Sequence, residues 1–207
     1  MYLYGFELEG FAINPVTNTI TIPPRRWPAD GFPGLLEIRT NGGKSIKKAY
    51  GALLAELFDL NIKEYLPDFK THEHRFSGRE LASLRKDRDF DKDNMDVQNL
   101  YGKEPRVLNG KTLASFQINI SYQISKEWKE KEVLHPARYG VLDVHKIVRN
   151  LDKEFSKEIK ASNRQPGVYC IKDEIRLEYR SLPNFVFESD PYSIMGLINR
   201  IETAVEG

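Results

Sequence analysis

The stretch Tyr4-Gly5-Phe6-Glu7-Leu8-Glu9-Gly10 alternates apolar and charged side chains with a period of two residues. This period is that of a β-strand, because successive side chains of a strand point to opposite faces of its sheet. One face would carry the apolar residues and the other would carry Glu7 and Glu9. Carboxylates two residues apart on a strand are separated by about 6.5–7 Å. Such a pair can share one Mg²⁺ through waters or hold two separate ions.

Two further stretches repeat this alternation, and each combines glutamate with arginine. They are Leu36-Glu37-Ile38-Arg39-Thr40 and Arg176-Leu177-Glu178-Tyr179-Arg180-Ser181-Leu182. If these remote strands pair with the first, their glutamates and arginines form one crowded sheet face. Burying charges is unfavourable unless they are compensated, so the pattern favours a site for divalent metal and phosphate. The alternative is a set of salt bridges at a solvated face, which would contribute little to stability.

Residues 112–124 alternate in the same way, but their polar positions are the uncharged Gln117, Asn119 and Ser121. Amide oxygens can ligate hard metals, and amide groups can hydrogen-bond a nucleotide. The alternative is the water-facing side of an ordinary strand.

Gly43-Lys44-Ser45 precedes an amphipathic helix and resembles the end of a P-loop. A complete P-loop needs a glycine at position 38, but this chain has Ile38 there. The P-loop interpretation therefore fails. The start of the helix can still hold an anion near Lys44, because its first N–H groups are free. A turn with Ser45 as N-cap is the simpler interpretation.

The remaining periodicities predict strands and helices in an α+β order. Strands are expected at 2–9, 17–22, 35–40, 112–124, 167–172 and 176–182, and helices at 46–58, 143–161 and from 190 onward. The strands follow one another in hairpin order with helices between the groups, which indicates α+β with a largely antiparallel sheet. Residues 68–96 are polar and highly charged, and we expect a loop or a lid there.

The chain has 207 residues, which fits a single domain over 1–207. Its net charge of +1 indicates neither nucleic acid nor a membrane surface as a partner. No apolar run reaches the ~20 residues of a membrane span, and Glu7 and Glu9 interrupt the region where a signal peptide is apolar. Cys170 is the single cysteine and is expected to be a buried structural thiol. We therefore expect a cytoplasmic protein.

Several of these stretches resemble motifs of carboxylate–amine ligases with the glutamate–cysteine ligase or glutamine synthetase type of fold. Gly5-Phe6-Glu7-Leu8-Glu9 is similar to their Gly-x-Glu-x-Glu first strand, and Asp30-Gly31 followed by 36–40 is similar to their second motif. Segments 143–152 and 176–184 resemble the C-terminal half of phage-type amidoligases. The likeness spans most of the chain except about 60–105, and it implies a curved, largely antiparallel sheet packed with helices.

This resemblance implies ATP-dependent formation of an amide or peptide bond between a carboxylate and an amine, through an acyl phosphate. It implies that Mg²⁺ is held by Glu7, Glu9 and Glu178, and that ATP is bound with the help of Gln117, Asn119, Arg176 and Lys44. Arg180 and Arg39 would stabilise the transferring phosphoryl group, and Glu37 would complete the metal shell or orient the amine. If the chain is phage-encoded, the cytoplasm would be that of the host.

The chain departs from the family at one strand, where Gln117-Ile118-Asn119 stands in place of a frequent His-x-His. Two other function classes also stay open. The same carboxylates could hold two metal ions in a phosphodiester hydrolase that needs no ATP. The protein could also be a binding or phage assembly protein without catalysis, in which the salt bridges are structural.

Overall fold

The computed structural model describes residues 1–11, 13–14, 19–20, 35–40, 42–59, 97–103, 114–122, 142–172, 176–188 and 190–207. The strands are β1 (Tyr2–Phe11), β2 (Ile13–Asn14), β3 (Thr19–Ile20), β4 (Leu35–Arg39), β5 (Val97–Asn99), β6 (Phe116–Tyr122), β7 (Val168–Lys172) and β8 (Arg176–Tyr179). The helices are α1 (Ile46–Asp59), α2 (Val144–Glu154), α3 (Ser156–Ala161) and α4 (Pro191–Glu206), and Asn184–Val186 forms a 3₁₀ turn. The predicted α+β class is confirmed.

Six strands form one sheet in the order β4-β1-β6-β8-β7-β5, and every neighbouring pair is antiparallel. The strands β2 and β3 pair with each other separately. In the large sheet, Glu7 lies opposite Arg39 on one side and Gln117 on the other. Across β6, Asn119 lies opposite Glu178. The glutamate strand β1 and the two strands that combine glutamate with arginine, although remote in the chain, therefore lie in one sheet.

The apolar side of this sheet forms the hydrophobic core together with the helices. Phe6 and Phe116 stack with ring centroids 5.5 Å apart, and Tyr50 of α1 meets both rings edge-on. Leu151 of α2 and Ile201 of α4 are fully buried in the same cluster. Removing these side chains from water stabilises the fold, and it sets which face of each strand turns inward.

The start of α1 lies close to β1. Gly43 forms two backbone hydrogen bonds with β1, of 2.8 and 2.9 Å. Gly5 permits this approach, because a Cβ at that position would lie only 3.2 Å from the carbonyl oxygen of Thr40. Ser45 Oγ then accepts a hydrogen bond of 3.4 Å from the backbone N–H three residues later. The predicted N-cap is confirmed.

The prediction of a single helix over 143–161 is wrong in one respect, because two helices, α2 and α3, meet at Phe155. The backbone of Phe155 departs from helical geometry, with φ −103° and ψ 21°. Its ring is fully buried, and the guanidinium of Arg200 lies 4.3 Å from the ring centroid. Both ends were predicted well: Asp143 caps α2 by accepting a 2.9 Å hydrogen bond from the Lys146 N–H.

The strand β8 is shorter than the predicted 176–182, since regular pairing ends at Tyr179. Beyond it, the N–H of Val168 donates to the side-chain oxygen of Ser181 rather than to a backbone carbonyl. Pro183 then forms an isolated bridge with Ser115. This bridge holds the end of β8 beside the start of β6.

Some predictions fall on residues that the structure does not describe. The loop or lid expected at 68–96 lies wholly outside the described residues, and of the strand expected at 17–22 only Thr19–Ile20 is described.

None of the described helices has the length and apolar character needed to cross a bilayer.

Candidate functional site on the polar face of the sheet

The side of the sheet opposite the core carries the residues singled out from the sequence. We call this set the polar face: Glu7, Glu9, Glu37, Arg39, Ser115, Gln117, Asn119, Cys170, Glu178 and Arg180. Its four glutamates are each at most 7% exposed. Because carboxylates are rarely buried without partners, the contacts of each one decide what the face can do.

Glu9 is held by hydrogen bonds from the strand beside it. Its Oε2 accepts 2.8 Å hydrogen bonds from both the backbone N–H and the hydroxyl of Ser115, and its Oε1 accepts a 2.9 Å bond from Gln117 Nε2. Gln117 Nε2 also lies 3.0 Å from the Ser115 hydroxyl oxygen. This network fixes the orientation of the Gln117 amide.

Glu7 has a simpler environment. Its Oε1 accepts a 3.1 Å hydrogen bond from Asn119 Nδ2. Like Gln117, Asn119 thus donates through its nitrogen to a β1 carboxylate, which leaves its oxygen as an acceptor.

The two amide oxygens on β6 are acceptors with no donor. Gln117 and Asn119 are 2% and 5% exposed, and within the described residues neither side-chain oxygen receives a hydrogen bond. A buried carbonyl oxygen without a partner is unfavourable, and such groups in folded proteins call for an explanation. A cation or a ligand donor at this face would satisfy both oxygens.

Glu178 and Arg180 form the second part of the face. Arg180 Nε lies 3.4 Å from Glu178 Oε1, and Arg180 Nη1 donates to Cys170 Sγ at 3.6 Å. Burial and the negative charge of Glu7 raise the pKa of Glu178, and Arg180 only partly opposes this. Burial acts to lower the pKa of Arg180, but Cys170, Glu178 and Glu9 raise it above its usual value. Arg180 therefore remains a cation at any physiological pH.

The cysteine prediction is confirmed in its main point, since Cys170 is buried and free. Burial raises the pKa of its thiol, although Arg180 acts in the opposite direction. The contact with Arg180 was not expected, because it joins two strands and leaves no local signal in the sequence. The role of Ser115 was also missed, although this residue continues the alternation of Gln117 and Asn119 toward the N-terminus.

The remaining predicted site residues are Arg39, Arg176 and Lys44, which lie on the edge strand, at the start of β8 and before α1. Arg39 is ion-paired with Glu37, and its side chain is 66% exposed on the edge strand β4. Arg176 lies opposite Ser121 and Lys172, two residues beyond Glu178 on the same side of β8. Lys44 is exposed in the bend that precedes α1.

The donor chemistry of the face suits Mg²⁺, which takes carboxylate and carbonyl oxygens as ligands. The buried amide oxygens without donors are the observation that supports this fit. Across the described parts of the chain, however, no three acidic, histidine or cysteine side chains are grouped closely enough to form a metal site by themselves. Any metal here would therefore rely on the amide oxygens, or on ligand oxygens, as well as on Glu7 and Glu178.

A further buried carboxylate, Asp152 of α2, lies apart from the polar face, among donors from β8, the turn before β7 and Tyr101. It accepts hydrogen bonds from Tyr179 (2.6 Å), the Gly167 N–H (2.9 Å) and Tyr101 (2.8 Å). Burial raises its pKa, while these three donors act to lower it. Gly167 has a φ of +78°, and a Cβ there would lie 2.7 Å from the Tyr101 ring. Asp152 thus joins α2, β8 and the turn before β7, a role that no sequence pattern predicted.

Comparison with known proteins identified no relative of this chain. The chain shows no significant similarity to any family model, curated protein or solved structure. The geometry of the polar face therefore carries the functional argument.

Proposed function

We propose that this protein is a Mg²⁺- and ATP-dependent carboxylate–amine ligase that forms an amide or peptide bond through an acyl phosphate. The observation that carries the proposal is a sheet face with four buried glutamates and two buried amide oxygens without donors in the described structure. Such a face is unfavourable when left alone, and a hard cation with phosphate oxygens would compensate it. The resemblance of the strand motifs to amidoligases points the same way.

In this proposal Glu7 and Glu178 hold Mg²⁺, assisted by the oxygens of Gln117 and Asn119. When bound, Mg²⁺ would neutralise phosphate charge and polarise the transferring group. Glu9 remains a candidate ligand, although its three hydrogen bonds support a positioning role for it. The same network presents the Gln117 oxygen in a fixed orientation.

The arginines have separate roles. Arg180 is a permanent cation with its guanidinium beside Glu178, so it is placed to stabilise negative charge that develops on a phosphoryl group. Arg176 and Lys44 would contact the outer phosphates of ATP. Arg39 and Glu37 lie on the edge strand, where an incoming amine could be oriented by the carboxylate.

A non-catalytic binding protein is the second candidate, and one specific observation favours it. Both predicted acid–arginine pairs are present as ion pairs between residues two positions apart in the chain, Arg39 with Glu37 and Arg180 with Glu178. If these pairs are purely structural, the arginines are already satisfied and need no phosphate.

The test is ATP turnover by the purified protein with Mg²⁺, a panel of carboxylates that includes amino acids and peptides, and hydroxylamine as the amine. Hydroxylamine converts an acyl phosphate into a hydroxamate, which is measured directly. We expect ADP and hydroxamate from the wild type, and a loss of at least about a hundredfold in Glu7→Gln. The matched control is Glu56→Gln on the exposed side of α1, which should leave turnover unchanged.

Binding of MgATP is measured in parallel by thermal unfolding, because a ligand that binds only the folded state raises the midpoint. No turnover together with no shift at millimolar MgATP would contradict the ligase and favour the binding protein. Phosphodiester cleavage with Mg²⁺ and without ATP would instead support the hydrolase.

A further inference from the structure

A cavity of about 380 Å³ lies between the 3₁₀ turn, α3 and α4. None of its lining residues belongs to the polar face. Its walls combine apolar and charged side chains, namely Phe185, Val186, Leu197, Glu158, Glu188 and Arg200. Cavities of this size, mostly apolar with a few fixed polar groups, are typical of small-molecule sites.

Among the described residues of the wall, two carboxylates, Glu158 and Glu188, stand against one cation, Arg200. Arg200 Nη2 lies 2.8 Å from Glu158, and Arg200 Nε donates to Glu154 at 2.7 Å. The Arg200 guanidinium is therefore shared between two carboxylates, and it also stacks on the ring of Phe155. Glu188 is the second acid of the wall, and no basic group in the described parts of the chain forms an ion pair with it. A cavity with one carboxylate in excess favours a cation.

The backbone of Glu188 is held rigidly. The hydroxyl of the fully buried Tyr50 donates to the Glu188 carbonyl at 2.7 Å and accepts from the Glu188 N–H at 2.9 Å. The Tyr50 ring is in turn stacked on Phe187, with centroids 5.6 Å apart. The carboxylate therefore projects from a point fixed by the core, which lowers the entropic cost of using it as a binding group.

We propose that this cavity binds a small organic monocation, an ammonium group attached to an apolar or aromatic body. The ammonium pairs with the Glu188 carboxylate, and the body lies against the apolar wall formed by Phe185, Val186 and Leu197. The site is independent of the proposed ligase activity, since it shares no residue with the polar face.

The probe is 2-phenylethylammonium, titrated into the 207-residue protein and followed by calorimetry and by amide chemical shifts. Two probes of the same shape serve as comparisons, the neutral 2-phenylethanol and the anionic phenylacetate. We expect saturable binding of the ammonium, weaker binding of the alcohol and none of the carboxylate. Absence of saturable ammonium binding up to about 10 mM would overturn the proposal, as would equal binding of phenylacetate.

Two variants test the location of the site. Glu188→Gln should weaken ammonium binding about tenfold or more, because a charge-assisted contact is lost, whereas the control Glu202→Gln on α4 should not. Gly196→Leu should weaken binding, because the leucine side chain would occupy part of the cavity. A Cβ at Gly196 meets no atom within 4 Å, and leucine favours a helix more than glycine does, so this variant should fold. Unchanged binding in both site variants would contradict the assignment.

Discussion

At the scale of single residues, the Glu178 carboxyl shows how the polar face is balanced. Burial and the charge of Glu7 make its ionised form less favourable, and Arg180 restores only part of the difference. Among the residues that define the polar face, four glutamates stand against two arginines, Arg39 and Arg180, so negative charge is in excess. This imbalance is the property that a bound cation would relieve.

The raised pKa of Glu178 predicts how stability depends on pH. Because the pKa of Glu178 is higher in the folded than in the unfolded protein, ionisation of Glu178 disfavours folding as pH rises from the unfolded value through the folded one. Glu178→Gln keeps the shape but cannot ionise. We expect the free energy of unfolding of this variant, relative to the wild type, to increase over that window and then level off.

Urea unfolding measured at intervals between about pH 4 and pH 8 tests this, starting near the ordinary glutamate pKa. Glu56→Gln, on the exposed side of α1, is the control and should show no such trend. A stability difference between Glu178→Gln and wild type that is the same at every pH would refute the explanation.

At the scale of elements, period-two alternation was enough to predict β1, β4, β6 and β8 and the side of each that turns away from the core. It was not enough for the contacts between strands. The contact of Arg180 with Cys170 and the hydrogen bonds of Ser115 to Glu9 depend on register, which joins residues far apart in the chain.

Helix periodicity was likewise sufficient to predict where the helical segment over 143–161 begins and ends. It did not predict the break at Phe155 that divides this segment into α2 and α3. Phe155 keeps the apolar spacing that predicts a continuous helix, and its backbone geometry becomes visible only in the structure. Asp152 resembles any polar helix residue in sequence, because its three donors come from other elements.

Asp152 gives a prediction at this scale. Asp152→Ala would leave the hydroxyls of Tyr179 and Tyr101 and the N–H of Gly167 without their acceptor. We expect a loss of about 3 kcal/mol in the free energy of unfolding, since each buried donor left without a partner costs about 1–3 kcal/mol. Lys153→Ala, at the next and exposed position of α2, should change stability by less than about 0.5 kcal/mol. Equal effects of the two substitutions in chemical denaturation would show that the network carries no stability.

At the scale of the whole molecule, the antiparallel sheet collects side chains that are distant in the chain onto one buried face. The strand order β4-β1-β6-β8 places the amides of β6 between the carboxylates of β1 and the Glu178 carboxylate of β8. The amide nitrogens of Gln117 and Asn119 face carboxylates of β1, and their oxygens have no donor in the described structure. The proposed ligase requires a cation bound to this arrangement.

Paramagnetic line broadening tests that requirement most directly, with Mn²⁺ used in place of Mg²⁺ on isotope-labelled protein. We predict that substoichiometric Mn²⁺ broadens the amide resonances of Glu7, Asn119 and Glu178 and leaves those of α4 sharp. In the double variant Glu7→Gln/Glu178→Gln, this selective broadening should disappear. Resonances of β1, β6 and β8 that stay sharp, or broadening that persists in the double variant, would contradict a metal site on the polar face.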